Sequence, residues 1–190
     1  MIYIISGTSR SGKTLMAKKM MQQTGIPYLS LDWLVMGFTN GIPEYGIHDK
    51  LWPNEIAEKF WHYLKAMLES MLWAETDCII EGEAVLPALI HEFLKKHPNS
   101  IKICFVGYPN ASIDEKVKAV YAYSDGKKDW LTKESKQYVE DHIRNMITYS
   151  QRIEKSCNQY GIKYFDTSKN FIETLDKAIA YLLQKRSSIV

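Results

Sequence analysis

The sequence has few cysteines, no long apolar run and little excess charge, and each of these features excludes a class of protein. It also has little arginine, which bears on the acceptor. No apolar stretch approaches the ~20 residues of a transmembrane helix, so we expect no membrane partner. Three widely spaced cysteines, Cys78, Cys104 and Cys157, predict reduced core residues instead of a disulfide framework or a metal site. With 24 basic and 22 acidic residues the net charge is +2, too small to indicate a nucleic-acid partner.

What remains is the composition of an ordinary folded chain. Of 190 residues, 46% are hydrophobic and 24% charged, and no repeat or linker divides the sequence, which predicts one domain over residues 1–190. The first residues carry no basic segment and no cleavage site, so we expect a cytoplasmic protein. Whether it is a monomer or a homodimer stays open.

Short apolar runs alternate with longer helical patterns along the chain. This alternation predicts an α/β fold, a parallel sheet with helices on both faces. The first run, at residues 2–6, precedes a glycine-rich turn and a helix over about residues 12–24. Residues 33–53 lack a clear period and contain several glycines and prolines, which favours a loop or a small lid.

The glycine-rich turn fits the pattern G-x-x-x-x-G-K-[ST] at every fixed position. Glycines allow the backbone N–H groups to turn inward around a phosphate, and the following helix adds its positive dipole end. In this pattern the lysine reaches the β- and γ-phosphates of ATP, and the hydroxyl after it binds Mg²⁺. The predicted nucleotide-binding residues are Gly7, Thr8, Ser9, Arg10, Ser11, Gly12, Lys13 and Thr14.

With this loop so near its first residue, the chain resembles P-loop small-molecule kinases of the adenylate kinase-like group. That group includes shikimate, gluconate and nucleoside kinases and chloramphenicol phosphotransferase. The resemblance implies the three-layer P-loop NTPase sandwich, with a five-stranded parallel sheet in the order 2-3-1-4-5. It also implies an acceptor-side segment at residues 33–75, a lid at about residues 121–144, and transfer from ATP with Mg²⁺ to a small acceptor.

Asp32 follows the second predicted strand, at the edge of the sheet where ligands of such folds bind. The segment 28–32 resembles the corresponding segment of chloramphenicol phosphotransferase, where the aspartate accepts the proton of the attacking hydroxyl. The resemblance therefore implies that Asp32 is the catalytic base. The alternative is that Asp32 caps a short helix beginning at Trp33.

Glu81 and Glu83 close the third predicted strand. An acidic residue there can hold water on Mg²⁺ or bind acceptor hydroxyls, and we predict Glu81 as a metal-site residue together with Thr14. The alternative is a strand end that is simply solvated.

Basic residues follow the fourth strand, where kinases of this group keep the lid. Arg144 and Arg152 are predicted to contact the transferred phosphate, with Lys127 and Lys128 as further candidates. A solvated helix face is the alternative. Only four arginines occur in the chain, which draws attention to each of them.

The residues after the fifth strand match the loop that holds adenine in this group, mostly through backbone groups. They are Asp166, Thr167 and Ser168. Asp166 as a helix cap is an equally good interpretation. Arg10 either stacks on adenine or points to solvent.

No arginine occurs in residues 33–100, although guanidinium groups are the usual partners of an acceptor phosphate. The segment offers aromatic residues instead, including Trp33, Tyr45 and Trp52. We therefore predict a neutral hydroxyl compound, a nucleoside or an antibiotic-like alcohol, as acceptor. Two alternatives stay open: a nucleoside monophosphate kinase, and a non-catalytic ATP-binding switch.

Overall fold

A computed structural model describes residues 1–124 and 129–184. Its centre is a sheet of five parallel strands in the order β2-β3-β1-β4-β5, which confirms the order expected from the sequence. The strands are β1 (Ile2–Gly7), β2 (Tyr28–Ser30), β3 (Cys78–Gly82), β4 (Ile101–Gly107) and β5 (Tyr164–Asp166).

Helices connect the strands and cover both faces of the sheet. The helices are α1 (Lys13–Thr24), α2 (Leu31–Gly41), α3 (Pro53–Trp73), α4 (Pro87–Lys96), α5 (Ile113–Ala122), α6 (Lys136–Tyr160) and α7 (Phe171–Leu183). Two short 3₁₀ turns, Pro43–Tyr45 and Leu131–Lys133, lie in the connections. The predicted loop at residues 33–53 was wrong for its first part, because α2 runs through Gly37 to Gly41.

Alternate residues of the central strands feed two separate cores, which gives the three layers. Ile5 packs with Met16 of α1 and Leu175 of α7 on one face. Ile4 belongs to the larger core on the other face, with Phe60 of α3 and Met146 of α6. Strands buried on both faces read as continuous apolar runs, which is the pattern of β1 and β3.

A third, smaller cluster joins α5, the turn Leu131–Lys133 and the first part of α6. It contains Val117, Leu131, Val139 and Ile143. The predicted lid at about residues 121–144 overlaps this cluster, and Lys127 and Lys128 lie outside the described residues, as does Arg186. The limits of the lid and of the acceptor-side segment stay predictions.

The three cysteines are free and buried, as predicted. Burial raises the pKa of the Cys157 thiol to about 12, so it stays protonated at neutral pH. Within the described part of the chain, no helix has both the length and the apolar character needed to cross a membrane.

Candidate active site

The loop between β1 and α1 needs its two glycines for both angle and space. Gly7 and Gly12 have φ of 133° and 98°, values that other residues rarely adopt. A Cβ on Gly7 would lie 1.8 Å from the carbonyl oxygen of Val106, and one on Gly12 would lie 2.8 Å from Leu175 Cδ1. The glycines therefore let the loop lie directly on β4 and α7, with the first turn of α1 behind it.

Lys13 and Thr14 point from the start of α1 toward the end of β3. The Lys13 ammonium donates to the carbonyl oxygen of Thr8 at 2.7 Å and to Glu83 Oε1 at 3.3 Å. The Thr14 hydroxyl donates to Glu81 Oε2 at 3.2 Å. The two side chains thus lie beside carboxylates, the arrangement expected around a polyphosphate and its metal ion.

Three carboxylates meet where β2 and β3 end. Ser30 pairs with Glu81 across the sheet, and Gly82 lies so close to Leu31 that an added Cβ would be 2.7 Å from the Leu31 Cβ. The next residues, Asp32 and Glu83, are therefore neighbours. Burial, together with the charges of Asp32 and Glu81, raises the pKa of Glu83, and Lys13 opposes this rise.

Asp32 is the second residue of α2, whose N-cap is Ser30. Its side chain is exposed and forms no hydrogen bond within the described residues. The alternative interpretation, a cap of a helix beginning at Trp33, is therefore wrong. Asp32 thus lies in the first turn of α2, at the end of the sheet where β2 stops.

Arg10 joins the P-loop to the segment that precedes α6 instead of pointing to solvent, and its stacking on adenine stays a prediction. Its Nη1 and Nη2 donate to Asp129 at 2.7 and 2.5 Å. Burial alone would raise the pKa of the Asp129 carboxyl, but the hydrogen bonds and charge of Arg10 lower it below its usual value. Asp129 also accepts from the backbone N–H groups of Leu131 and Thr132. The sequence contains no motif that identifies Asp129.

Lys116 of α5 is a third cation at the P-loop, beside Lys13 and Arg10, and sequence reasoning missed it. Its ammonium donates to the carbonyl oxygen of Arg10 at 2.8 Å and lies 4.1 Å from the ring centroid of Tyr108. Burial, and then the charges of Arg10 and Lys13, lower the pKa of Lys116 to about 8. A buried cation beside two others would favour the approach of an anion.

Ser150 fixes the middle of α6 against the P-loop. Its hydroxyl shares a 3.0 Å hydrogen bond with the Thr8 hydroxyl and accepts one of 3.0 Å from the backbone N–H of Tyr108. The predicted phosphate ligands Arg144 and Arg152 lie on the same helix, but both side chains are exposed. The described contacts do not bring either arginine to the P-loop.

The loop after β5 is held by its own side chains. Thr167 donates from its hydroxyl and its backbone N–H to the Gly107 carbonyl oxygen, at 3.0 and 2.7 Å. The Asp166 carboxylate accepts from the Ser168 backbone N–H at 2.8 Å and from the Asn110 side-chain amide at 2.9 Å. Asp166 does not cap α7, whose N-cap is Asn170. These bonds fix the loop, and its adenine-binding role stays a prediction.

The residues at the loop fit a nucleotide with a magnesium ion. No group of three or more histidine, cysteine, aspartate or glutamate side chains in residues 1–124 and 129–184 is arranged to hold a metal by itself. Mg²⁺ at phosphates needs only one or two protein ligands beside phosphate oxygens and water, and Thr14 with Glu81 provides these.

The fold is shared with known small-molecule kinases. A shikimate kinase from Bacteroides thetaiotaomicron superposes with a TM-score of 0.56 and 16% identity, covering 94% of this chain and 96% of that one. A gluconokinase from Sinorhizobium meliloti 1021 superposes with a TM-score of 0.57 and 16% identity, covering 95% of this chain and 90% of that one. A sugar kinase from Janibacter sp. HTCC2649 superposes with a TM-score of 0.54 and 17% identity, covering 95% of this chain and 93% of that one.

These three structures confirm the fold expected from the sequence, the three-layer fold of P-loop small-molecule kinases. No family model matches this sequence, and no curated protein sequence matches it. Because the sequence identities are below a fifth, the likeness shows the fold alone, and the activity of this chain depends on the residues of its own site.

Proposed function

We propose that this protein is an ATP-dependent kinase that transfers the γ-phosphoryl group to a hydroxyl of a small molecule. One observation carries the proposal. In the complete P-loop, Lys13 and Thr14 contact Glu83 and Glu81 at the end of β3, and β2, which Asp32 follows, pairs with β3; this supports a phosphate-binding site and a proton acceptor at one edge of the sheet.

The residues divide between the two substrates. Lys13 and the loop N–H groups hold the β- and γ-phosphates, while Thr14 and Glu81 hold the magnesium ion, which neutralises charge on the phosphate oxygens. Asp32 orients the acceptor hydroxyl and takes its proton. The hydroxyl oxygen forms a bond to the γ-phosphorus, the bond from that phosphorus to the β–γ bridging oxygen breaks, and ADP leaves.

Arg144, at the end of the predicted lid, and Arg152, further along α6, remain in the proposal as contacts of the transferred phosphate. Their exposed positions on α6 mean that contact would require a closed arrangement. Arg10 and Lys116 already lie at the loop, and their contacts there support a role for both cations beside the phosphates. The backbone of Asp166, Thr167 and Ser168 is the proposed adenine site.

The proposed acceptor is a nucleoside or an antibiotic-like alcohol. Residues 33–100 contain no arginine to grip an acceptor phosphate. Trp33, Tyr45 and Trp52 are more than half exposed on this side, at 58%, 67% and 54%, and provide flat apolar surface for such a compound.

A screen for acceptor-dependent ADP release tests the function. Purified protein with ATP and Mg²⁺ is given sugars, nucleosides, amino alcohols and hydroxylated antibiotics, with Lys13→Ala as the matched control. Release that requires both an acceptor and Lys13 supports the proposal. Release stimulated only by nucleoside monophosphates would establish a nucleotide kinase instead, and nucleotide binding without release in any mixture would indicate a switch.

A further inference from the structure

One carboxylate at the P-loop lies apart from the acidic residues that follow β2 and β3. It belongs to Asp129, in the segment before α6, and accepts two hydrogen bonds from the Arg10 guanidinium, at 2.7 and 2.5 Å. Charged pairs with two such bonds are among the stronger contacts in proteins. The Asp129 side chain is 5% exposed and that of Arg10 26%. The proposed kinase chemistry gives Asp129 no role, although its partner lies within the phosphate-binding loop.

The backbone of Arg10 is held independently of this pair. Its φ of 60° lies in the left-handed region, which residues other than glycine enter at a cost and which is most frequent at functional sites. Lys116 donates to the carbonyl oxygen of Arg10 at 2.8 Å. The guanidinium can therefore change partners while the backbone of the loop keeps its conformation.

Asp129 retains hydrogen bonds when Arg10 leaves it. Its Oδ1 accepts from the backbone N–H groups of Leu131 and Thr132, at 3.0 and 3.3 Å. Leu131 is itself buried in the small core that α5 and α6 share. These bonds fix the carboxylate and satisfy it in part, so separating it from Arg10 costs less than leaving a buried charge without any partner.

A polyphosphate would compete with Asp129 for Arg10. The guanidinium fork fits phosphate oxygens as it fits a carboxylate. Lys13 and Lys116 lie at the same loop and attract an anion, whereas the charge of Asp129 repels one. A triphosphate carries several negative charges against the single charge of Asp129, so the competition favours the nucleotide.

We propose that the Arg10–Asp129 ion pair is a nucleotide-responsive latch, in which Asp129 binds Arg10 until the phosphates of ATP replace it. This inference rests on the nucleotide-binding part of the proposed function and adds a regulatory contact to that site. Only hydrogen bonds are exchanged. Because part of the binding free energy of the nucleotide goes into separating the pair, the latch lowers the affinity for ATP.

Nucleotide affinity in two variants tests the exchange without requiring turnover. A non-hydrolysable ATP analogue with Mg²⁺ is titrated by calorimetry into each protein. Asp129→Asn removes the charge but keeps an oxygen for the two backbone N–H groups, so it should raise the affinity about fivefold or more. Arg10→Gln should lower the affinity about tenfold. Adding Asp129→Asn to Arg10→Gln should give no further gain, because the latch acts only through Arg10.

The control variant is Asp141→Asn, which makes the same change of charge on α6. Its carboxylate is exposed and accepts from the Gln137 side chain, at 3.1 and 3.2 Å. We expect its affinity for the analogue to equal that of the wild type.

Fluorescence of Trp130 gives a second measurement, one that a purely structural role of Asp129 would not change. The Trp130 ring centroid lies 6.0 Å from Arg10 Cζ and 5.3 Å from the His142 ring centroid, edge to face. The difference between wild type and Trp130→Phe isolates this emission from that of the other four tryptophans. The emission should change when the analogue is added. Asp129→Asn should show the changed emission before any nucleotide is added, because Arg10 is already released.

Several results would overturn the latch and leave the kinase function intact. They are an unchanged or lower affinity of Asp129→Asn, an equal gain in the Arg10→Gln background, an equal gain in Asp141→Asn, and Trp130 emission that does not respond to the analogue. The expected affinities and emission without transfer to any acceptor would keep the latch and refute the kinase. No binding of the analogue by the wild type or by any variant would refute both.

Discussion

At the P-loop, Lys13, Thr14 and Arg10 each have a hydrogen-bond partner within the protein, whereas across the site the exposed Asp32 carboxylate has none among the described residues. The nucleotide side is thus already assembled by its own contacts. The acceptor side instead offers an exposed carboxylate that is open to solvent and to a ligand. This difference separates binding of the nucleotide from selection of the acceptor, and substitutions on the two sides should affect different measurements.

The largest effect is expected for Lys13→Ala, on the assembled side. The ammonium donates to the Thr8 carbonyl oxygen inside the loop, so its loss should lower phosphoryl transfer roughly a hundred- to a thousandfold. Circular dichroism should remain that of the wild type, because Lys13 bonds to the loop and to Glu83, not to the core. Unchanged turnover would end the kinase proposal.

Gly7→Ala tests how tightly the nucleotide side is built. The new methyl group would lie 1.8 Å from the Val106 carbonyl oxygen at a φ of 133°, so we expect a loss of about 3 kcal/mol or more in the free energy of unfolding. Gly37, in α2, has nothing within 4 Å of its position for a Cβ. Gly37→Ala should therefore stabilise the protein by about 0.5–1 kcal/mol. Urea unfolding measures the free energy of unfolding of both variants. Changes of the same sign and size in the two variants would contradict the expectation.

Asp32→Asn probes the acceptor side alone. Transfer should fall by roughly a hundredfold, the scale of a lost general base, while ATP affinity stays within about twofold. Asparagine keeps the size of the side chain, and Ser30, not Asp32, caps α2, so the helix should be retained. Acceptor-dependent ADP release and ATP calorimetry on one preparation give both values. If phosphoryl transfer stays near normal, Glu83 or Glu81 is the base instead of Asp32.

The smallest effect concerns Lys116 and the pH dependence of stability. Its folded pKa of about 8 lies below the ordinary lysine value, so the unfolded chain binds more protons between these values. Stability should therefore rise with pH across this window, by an amount on the order of 1 kcal/mol or more. Lys116→Met should remove that rise. Lys118→Met, an exposed neighbour on α5, is the control, and identical pH profiles for wild type and Lys116→Met would refute the assignment.

The nucleotide side was largely predictable from the sequence because a local motif fixes it. Eight consecutive residues set the angles of Gly7 and Gly12 and the direction of Lys13; the alternating apolar runs predicted the parallel sheet, and the resemblance to P-loop kinases implied its strand order. Asp32 and Glu81 were predictable in position because the ends of parallel strands share one edge of the sheet.

The rest of the site depends on contacts between residues far apart in the chain. Arg10 meets Asp129, Lys116 meets the Arg10 carbonyl, and Ser150 meets Thr8 only after α5 and α6 have packed. A single sequence has no local pattern that marks such pairs. The helix α2 was missed for a different reason: its glycines at positions 37 and 41 resemble loop punctuation, although packing of Val35 and Phe38 in the core supports a helix there.

Transfer of a labelled γ-phosphate tests the central claim most directly. Wild-type protein and Lys13→Ala are incubated with γ-labelled ATP, Mg²⁺ and the acceptor panel, and the products are separated. We expect label on an organic hydroxyl with the wild type, and none above background with Lys13→Ala. Label that remains in ATP, or appears only as inorganic phosphate whichever acceptor is present, would contradict a kinase that acts on a small-molecule hydroxyl.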